Sequence, residues 1–247
     1  MPTEIFLICI AFVATLAGGV ASIAGFGIGS LLTPLLAVQV GTKLAVAAVS
    51  IPHLAGTVVR FWRLRREIDR RVLWSFGVTS AAGGLVGALL QAIAGGRALT
   101  VVLGCLLIFA GAAGLLGFMQ KVRFSGWIAW IAGAVSGLFG GLVGNQGGIR
   151  SAALLGFDLQ KKAFVATATA VALIVDGARM PVYLVTQGRD IARVWPLVLM
   201  AVVGVVVGTL VGERVLRRVP ESLFRRIVAG IILMLGVAML VAGARGK

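Results

Sequence analysis

Long apolar runs, separated by short bursts of basic residues, organise this chain. A helix needs about 20 apolar residues to cross a bilayer core of roughly 30 Å. Runs near that length cover 5–24, 72–94, 98–118, 194–212 and 226–243. Shorter apolar stretches lie at 28–40, 43–60, 126–143, 148–157 and 162–179. Read as helices, these elements predict an all-α integral membrane protein. No polar block between them is long enough to bury a core of its own, so no soluble domain is expected.

The order of the elements repeats. The segment AGGVASIAGFG (17–27) resembles AGAVSGLFGGL (132–142). The stretch GSLLTPLLAVQVGTKLAVAAVSIPHLAGTVVR (29–60) aligns without a gap on GIRSAALLGFDLQKKAFVATATAVALIVDGAR (148–179). That alignment sets Gly29 on Gly148, Lys43 on Lys162, Ser50 on Thr169 and Arg60 on Arg179. Further on, Trp74 falls on Trp195 and Gly87 on Gly208. The pattern predicts two homologous halves, 1–122 and 123–247, within one membrane domain. The second element of each half is short. At 1.5 Å per residue it reaches about 15–20 Å and cannot span alone.

Charge decides how to count those short elements. If each counts as a crossing, Lys and Arg divide more unequally between the two faces, as the positive-inside rule requires. The halves are then inverted and both termini face outward. The matching loops agree, because 60–71 is rich in Arg while 179–193 is poor, and 94–97 is bare while 212–226 is rich. Inverted repeats with short elements at corresponding places are expected to hold a substrate site near the midplane.

Composition strengthens the membrane reading. The chain has 247 residues, 60% of them hydrophobic, and a mean hydropathy of +1.06. Its formal charge of +15 comes from loop bursts rather than a basic face with interleaved aromatics, so a nucleic-acid partner is excluded. Cys9 and Cys105 sit in apolar runs and read as small buried hydrophobes. They support no disulfide framework or metal site, and no cofactor is implied. The N-terminal run lacks a basic leader and carries Glu4, so it reads as a retained first helix rather than a signal peptide.

The candidate chemistry lies at two Gly-rich breaks, 25–30 and 140–148. Gly permits unusual dihedrals there, and irregular backbone at membrane depth survives only when buried or lining a wet cavity. A helix restarting after a break aims its N-terminal amides at the cavity and favours anions. Arg150 lies just after the second break. Its insertion costs roughly 2.5–3.5 kcal/mol, so it needs a partner, water or a substrate. Its fork suits oxyanions. Asn145, Gln146, Gly147, Gly148 and Ser151 surround it in sequence, and Gly27, Gly29, Ser30 and Thr33 supply the first break. The competing reading makes Arg150 a strut paired with a carboxylate or with carbonyls.

Two further residues are candidates for coupling or charge compensation. Asp176 stands three residues before Arg179, so a local pair near a membrane end is expected. A proton carrier or a counter-charge for Arg150 is the alternative. His53, the only histidine, follows Pro52, where a kink is expected. Either could carry a coupling proton or accompany a coupling cation. Lys43 and Lys162 read as interface residues that snorkel to water. Trp62, Trp74, Trp127, Trp130 and Trp195 read as an aromatic belt. A serine hydrolase would have only Ser30 and His53, with no third orienting group, so no enzyme is expected.

The motifs GGVASIAGFGIGSLLTPLL and GLFGGLVGNQGGIRSAALLGF resemble those of the TauE/SafE family of membrane permeases. Pro34, Leu35 and Leu36 match the family's Pro-Leu continuation, whereas Ala153, Leu154 and Leu155 replace it in the second half. The resemblance covers nearly the whole chain. It implies a permease of the bacterial inner membrane for sulfite, a sulfonate or a related organosulfur anion. A passive anion channel or a carboxylate permease is the alternative. The partners implied are a small anion and the lipid bilayer; the oligomeric state is left open.

Overall fold

The computed structural model describes residues 4–117, 126–145, 147–155, 157, 159–216 and 221–245. Ten α-helices and one short 3-10 turn run through them, with no strand among the described residues. In chain order the helices are α1 (Glu4–Ala24), α2 (Ile28–Val40), α3 (Thr42–Leu64), α4 (Arg70–Ile93) and α5 (Gly96–Leu116). The second half supplies α6 (Trp127–Val143), α7 (Gly147–Leu155), α8 (Lys161–Arg193), α9 (Trp195–Leu216) and α10 (Glu221–Ala244). A helix pairs its backbone groups within itself, which is what a hydrocarbon environment demands. The short elements at 28–40 and 148–157 appear as α2 and α7, as the sequence predicts.

Six of the helices are long and apolar enough to span a membrane. Their outer faces are apolar. Ile5, Ile8, Phe12 and Leu16 form an exposed stripe on α1, and Leu199, Val203, Val207 and Leu210 form one on α9. So much exposed aliphatic surface is untenable in water and normal in lipid. The protein is a multi-pass membrane protein. All five tryptophans are exposed, as a lipid-facing belt requires.

Glycine sets the packing between the halves. Without a hydrophobic drive in lipid, helices associate through close backbone contact at small residues. In α6, Gly133 meets Phe76 and Thr79, Gly137 meets Ser80 and Gly84, and Gly141 meets Gly84 and Ala88. A Cβ on Gly141 would lie 2.7 Å from the Ala88 nitrogen. The rising numbers on both helices make α4 and α6 parallel. In α9, Gly204 meets Ala11 and Thr15, Gly208 meets Thr15, and Gly18 of α1 meets Val205 and Thr209, so α1 and α9 are parallel too. The first helix of each half thus packs along the fourth helix of the other. Helices α5 and α10 pair antiparallel through Gly104, Gly111 and Gly236. The third helices, α3 and α8, meet each other in the centre.

Three expectations are corrected. Residues 179–193 are not a loop, since α8 continues to Arg193 through Pro181. A proline forfeits one hydrogen bond, and the buried stripe Met180, Tyr183, Gln187 and Ile191 holds the continuation in place at helical spacing. Cys9 and Cys105 are exposed, because their positions fall on lipid-facing sides. Lys43 does not snorkel. Its Nζ donates to the Ala92 carbonyl at 2.6 Å and the Ala94 carbonyl at 3.3 Å, capping the unpaired carbonyls at the end of α4. Gln91 donates to the Lys43 carbonyl at 2.8 Å, and Gln187 donates to Gln91 at 2.9 Å, so this end of the bundle is latched.

Candidate functional site

The two helix breaks meet. Helix α1 ends at Ala24, and Gly25 (φ +78°) and Gly27 (φ +130°) turn the chain before α2. Helix α6 ends at Val143, where Gly144 takes φ +72°. These conformations suit glycine and strain other residues. Gly29 packs directly on the Gly144 carbonyl, with no room for a Cβ, and Gly147 packs on the Phe26 ring. Ser30 donates to the Asn145 side-chain oxygen at 3.1 Å. Thr33, fully buried, lies close to Gly144.

A broken helix exposes the carbonyls of its last turn, which are the negative end of its dipole. Here those carbonyls are taken by long polar side chains from other elements. Arg150 Nη2 donates to the Gly25 carbonyl at 3.0 Å. Arg179 Nη1 donates to the Gly140 carbonyl and the Tyr183 hydroxyl to the Gly141 carbonyl. Cross-bracing of this kind ties α7 to the first break and α8 to the second.

Beside the breaks sits a buried charge cluster. Asp176, about halfway along α8, accepts from Arg179 Nε at 3.0 Å and lies 2.7 Å from Arg179 Nη2. His53 Nδ1 of α3 lies 2.7 Å from the other Asp176 oxygen. The expected Asp176–Arg179 pair is therefore present, but it stands deep inside rather than near a membrane end. Pairing with His53 across 123 residues of sequence draws it to the α3–α8 contact. Helix α3 passes through Pro52 as one element.

Arg60 completes the cluster. It is 3% exposed, and its Nη2 donates to Thr57 of its own helix at 3.1 Å. Arg60 Nε and Nη1, Arg150 Nε and Nη1, and the Thr33 hydroxyl have no hydrogen-bond partner among the described residues. Arg60 lies within electrostatic reach of Arg150, and both lie within reach of Asp176. Among the described residues, three guanidiniums are buried, those of Arg60, Arg150 and Arg179, with one buried carboxylate, Asp176. These groups together carry a surplus of positive charge. Buried donors left unmade are costly, more so when charged, and an intramembrane charge without a partner is a mark of function. Such a cluster can receive an oxyanion.

Most of the residues singled out from the sequence come together here: Gly27, Gly29, Ser30 and Thr33 from the first break, Asn145, Gly147 and Arg150 from the second, with Asp176 and His53 alongside. Gly148 lies in the first turn of α7. Ser151 is half-buried, and no contact ties it to the cluster among the described residues. Gln146 lies outside the described residues. Sequence reasoning missed Arg60, Arg179 and Tyr183 as site residues. Arg60 was hidden at the start of a basic burst, and the signal for it was its alignment on Arg179.

A model of the sulfite exporter TauE/SafE family matches residues 10–239. Neither the curated proteins nor the solved structures provide a match. The family match agrees with the spanning helices. It places the chain among membrane transporters of sulfite and organosulfur anions rather than among enzymes. The chain belongs to the sulfite exporter TauE/SafE family.

Proposed function

We propose that this protein carries sulfite, a sulfonate or a related organosulfur anion by alternating access, at a midplane site between halves 1–122 and 123–247. One observation carries the reading: Arg150 is fully buried at the junction of the two breaks and keeps two nitrogen donors free of protein partners among the described residues. Arg150 is the principal anion ligand. The Thr33 hydroxyl, Asn145 and the first-turn amides of α2 and α7 supply further donors, with Gly27, Gly29, Gly147 and Gly148 giving the backbone room to approach. The reciprocal packing of each half's first helix on the other's fourth supports an inverted duplication, and such a pair can rock about a fixed centre. Asp176 keeps the positive cluster tolerable in the absence of cargo, and with His53 it is the place for a coupling proton. The bacterial inner membrane, with both termini outward, is the setting that fits the Arg-rich loops.

The reading is tested with purified protein in liposomes. Labelled sulfite should enter, and sulfonates should compete better than small carboxylates of similar size. An imposed proton gradient should drive accumulation. Flux that never exceeds equilibrium would replace the carrier with a channel, and preference for carboxylates would replace the sulfur anions.

A further inference from the structure

One end of the bundle is tied by polar side chains. Gln187 of α8 donates to the Gln91 side chain of α4 at 2.9 Å, and Gln91 donates to the Lys43 carbonyl of α3 at 2.8 Å. The Lys43 ammonium returns to the Ala92 and Ala94 carbonyls at the end of α4. Beside it the hydroxyls of Thr42 on α3 and Thr100 on α5 meet at 2.6 Å. Gln91 is fully buried and Gln187 nearly so. Against this chain lies a cavity of about 500 Å³, lined in part by Gly41, Lys43, Gly96, Thr186, Gln187 and Asp190. Gly41, Gly96, Thr186 and Asp190 are exposed, whereas Gln187 is buried, so the cavity opens outward and ends on the polar chain.

The chain stands between that cavity and the buried charge cluster. His53 meets Asp176, Ser50 meets Met180 at 3.4 Å, and Lys43 shares the cavity with Gln187, so α3 and α8 run antiparallel from the cluster to the cavity. At 1.5 Å per residue, Lys43 and Gln187 stand about 15 Å along the two helices from His53 and Asp176. The buried side chains Asp176, Met180, Tyr183 and Gln187 follow one face of α8 over that distance. Amides in contact pass to water at small net cost, because each lost hydrogen bond is replaced by one to water. A closure made of them can part where an apolar seal would have to expose its surface. The repeat does not reproduce it at the other end. Lys43 aligns on Lys162, which is exposed, and Gln91 falls on Gly212, which has no side chain to donate.

We propose that the cavity is the mouth through which the small anion enters or leaves, and that the Gln187–Gln91–Lys43 chain is the gate beneath it. This rests on the midplane anion site proposed above and adds the route to it. Asp190 is paired with Arg193 at 3.1 Å, so the Lys43 ammonium is the charge in the lining without an acidic partner among the described residues, and the mouth favours anions. Opening separates Gln187 from Gln91 and frees the path along α8.

The test replaces Cys9 and Cys105 by alanine and places a reporter beneath the gate with Met180→Cys. Its rate of labelling by a charged, water-soluble maleimide is read in liposomes. Labelling should be slow in this parent. Gln91→Leu and Gln187→Leu keep the bulk and remove the amide, and each should speed labelling by about fivefold to tenfold, the worth of one hydrogen bond. Lys162→Met, at the equivalent place on the other end, should leave the rate unchanged. Unchanged labelling in the folded gate variants, or equal acceleration by Lys162→Met, overturns the gate. If neither gate variant elutes as a monodisperse species, bridging Gln91→Cys to Gln187→Cys with a short reducible crosslinker decides. The bridge should stop labelled sulfite uptake and a reductant should restore it, and undiminished uptake by bridged protein overturns the gate as well. If wild type moves no sulfite, the transport reading fails, while the labelling rates still decide the gate.

Discussion

Replacing Asp176 by Asn tests whether the buried cluster depends on one carboxylate. The protein contains its own control. Asp176–Arg179 and Asp190–Arg193 are both i,i+3 pairs on α8, at 2.7 Å and 3.1 Å. Their surroundings differ. The first pair has side chains 0% and 2% exposed, the second 52% and 80%. Removing one partner of a buried pair costs about 3–5 kcal/mol, because the charge left behind is uncompensated. Here the loss is compounded, since Asp176 also holds His53. Removing an exposed partner costs at most about 0.5 kcal/mol after solvent screening. Asp176→Asn should therefore lower the thermal unfolding midpoint in detergent strongly, while Asp190→Asn leaves it nearly unchanged. Added sulfite should recover part of the loss in Asp176→Asn by binding the unbalanced guanidiniums. Equal midpoints for the two variants would refute the claim that burial makes Asp176 the keystone of the cluster.

Other outcomes follow from particular contacts. Gly141→Leu should prevent assembly of α4 on α6, read as aggregation on size exclusion, whereas Gly95→Ala, with open space around its Cβ, should be neutral. Gly27→Ala should destabilise the protein and reduce flux, because it forces a side chain into φ +130° and sets its Cβ 2.8 Å from Val20. Lys43→Met should release the end of α4 and cost about 1 kcal/mol, seen as faster hydrogen exchange near Ala94. Cys105 is exposed near the middle of α5, so a lipid-soluble maleimide should label it and a membrane-impermeant one should not.

The architecture was largely legible in the sequence because lipid imposes one simple code. Apolar length marks a span, and Gly with positive φ marks a break. The short elements 28–40 and 148–157 were readable for that reason. The continuation of α8 was not, since Pro181, Gln187, Arg189 and Asp190 imitate a loop and the stripe from Met180 to Ile191 shows only at helical spacing. For the site, Arg150 announced itself by being charged in an apolar stretch, and Asp176–Arg179 by its spacing. His53 was singled out as the lone histidine, but its pairing with Asp176 was illegible, because the two are 123 residues apart and only the packing of α3 on α8 joins them. Arg60 looked like one more loop cation among its neighbours. Its burial depends on how α3 sits in the bundle, which the local sequence does not encode.

Uptake of labelled sulfite by liposomes containing wild type or Arg150→Gln bears most directly on the proposed site. Gln keeps much of the length and polarity of the side chain but removes the charge and the fork. Wild type should transport, and folded Arg150→Gln should lose flux by about tenfold to a hundredfold, as expected for a buried charged hydrogen-bonding group. Unimpaired flux through folded Arg150→Gln would contradict the assignment and reduce Arg150 to a brace on the Gly25 carbonyl.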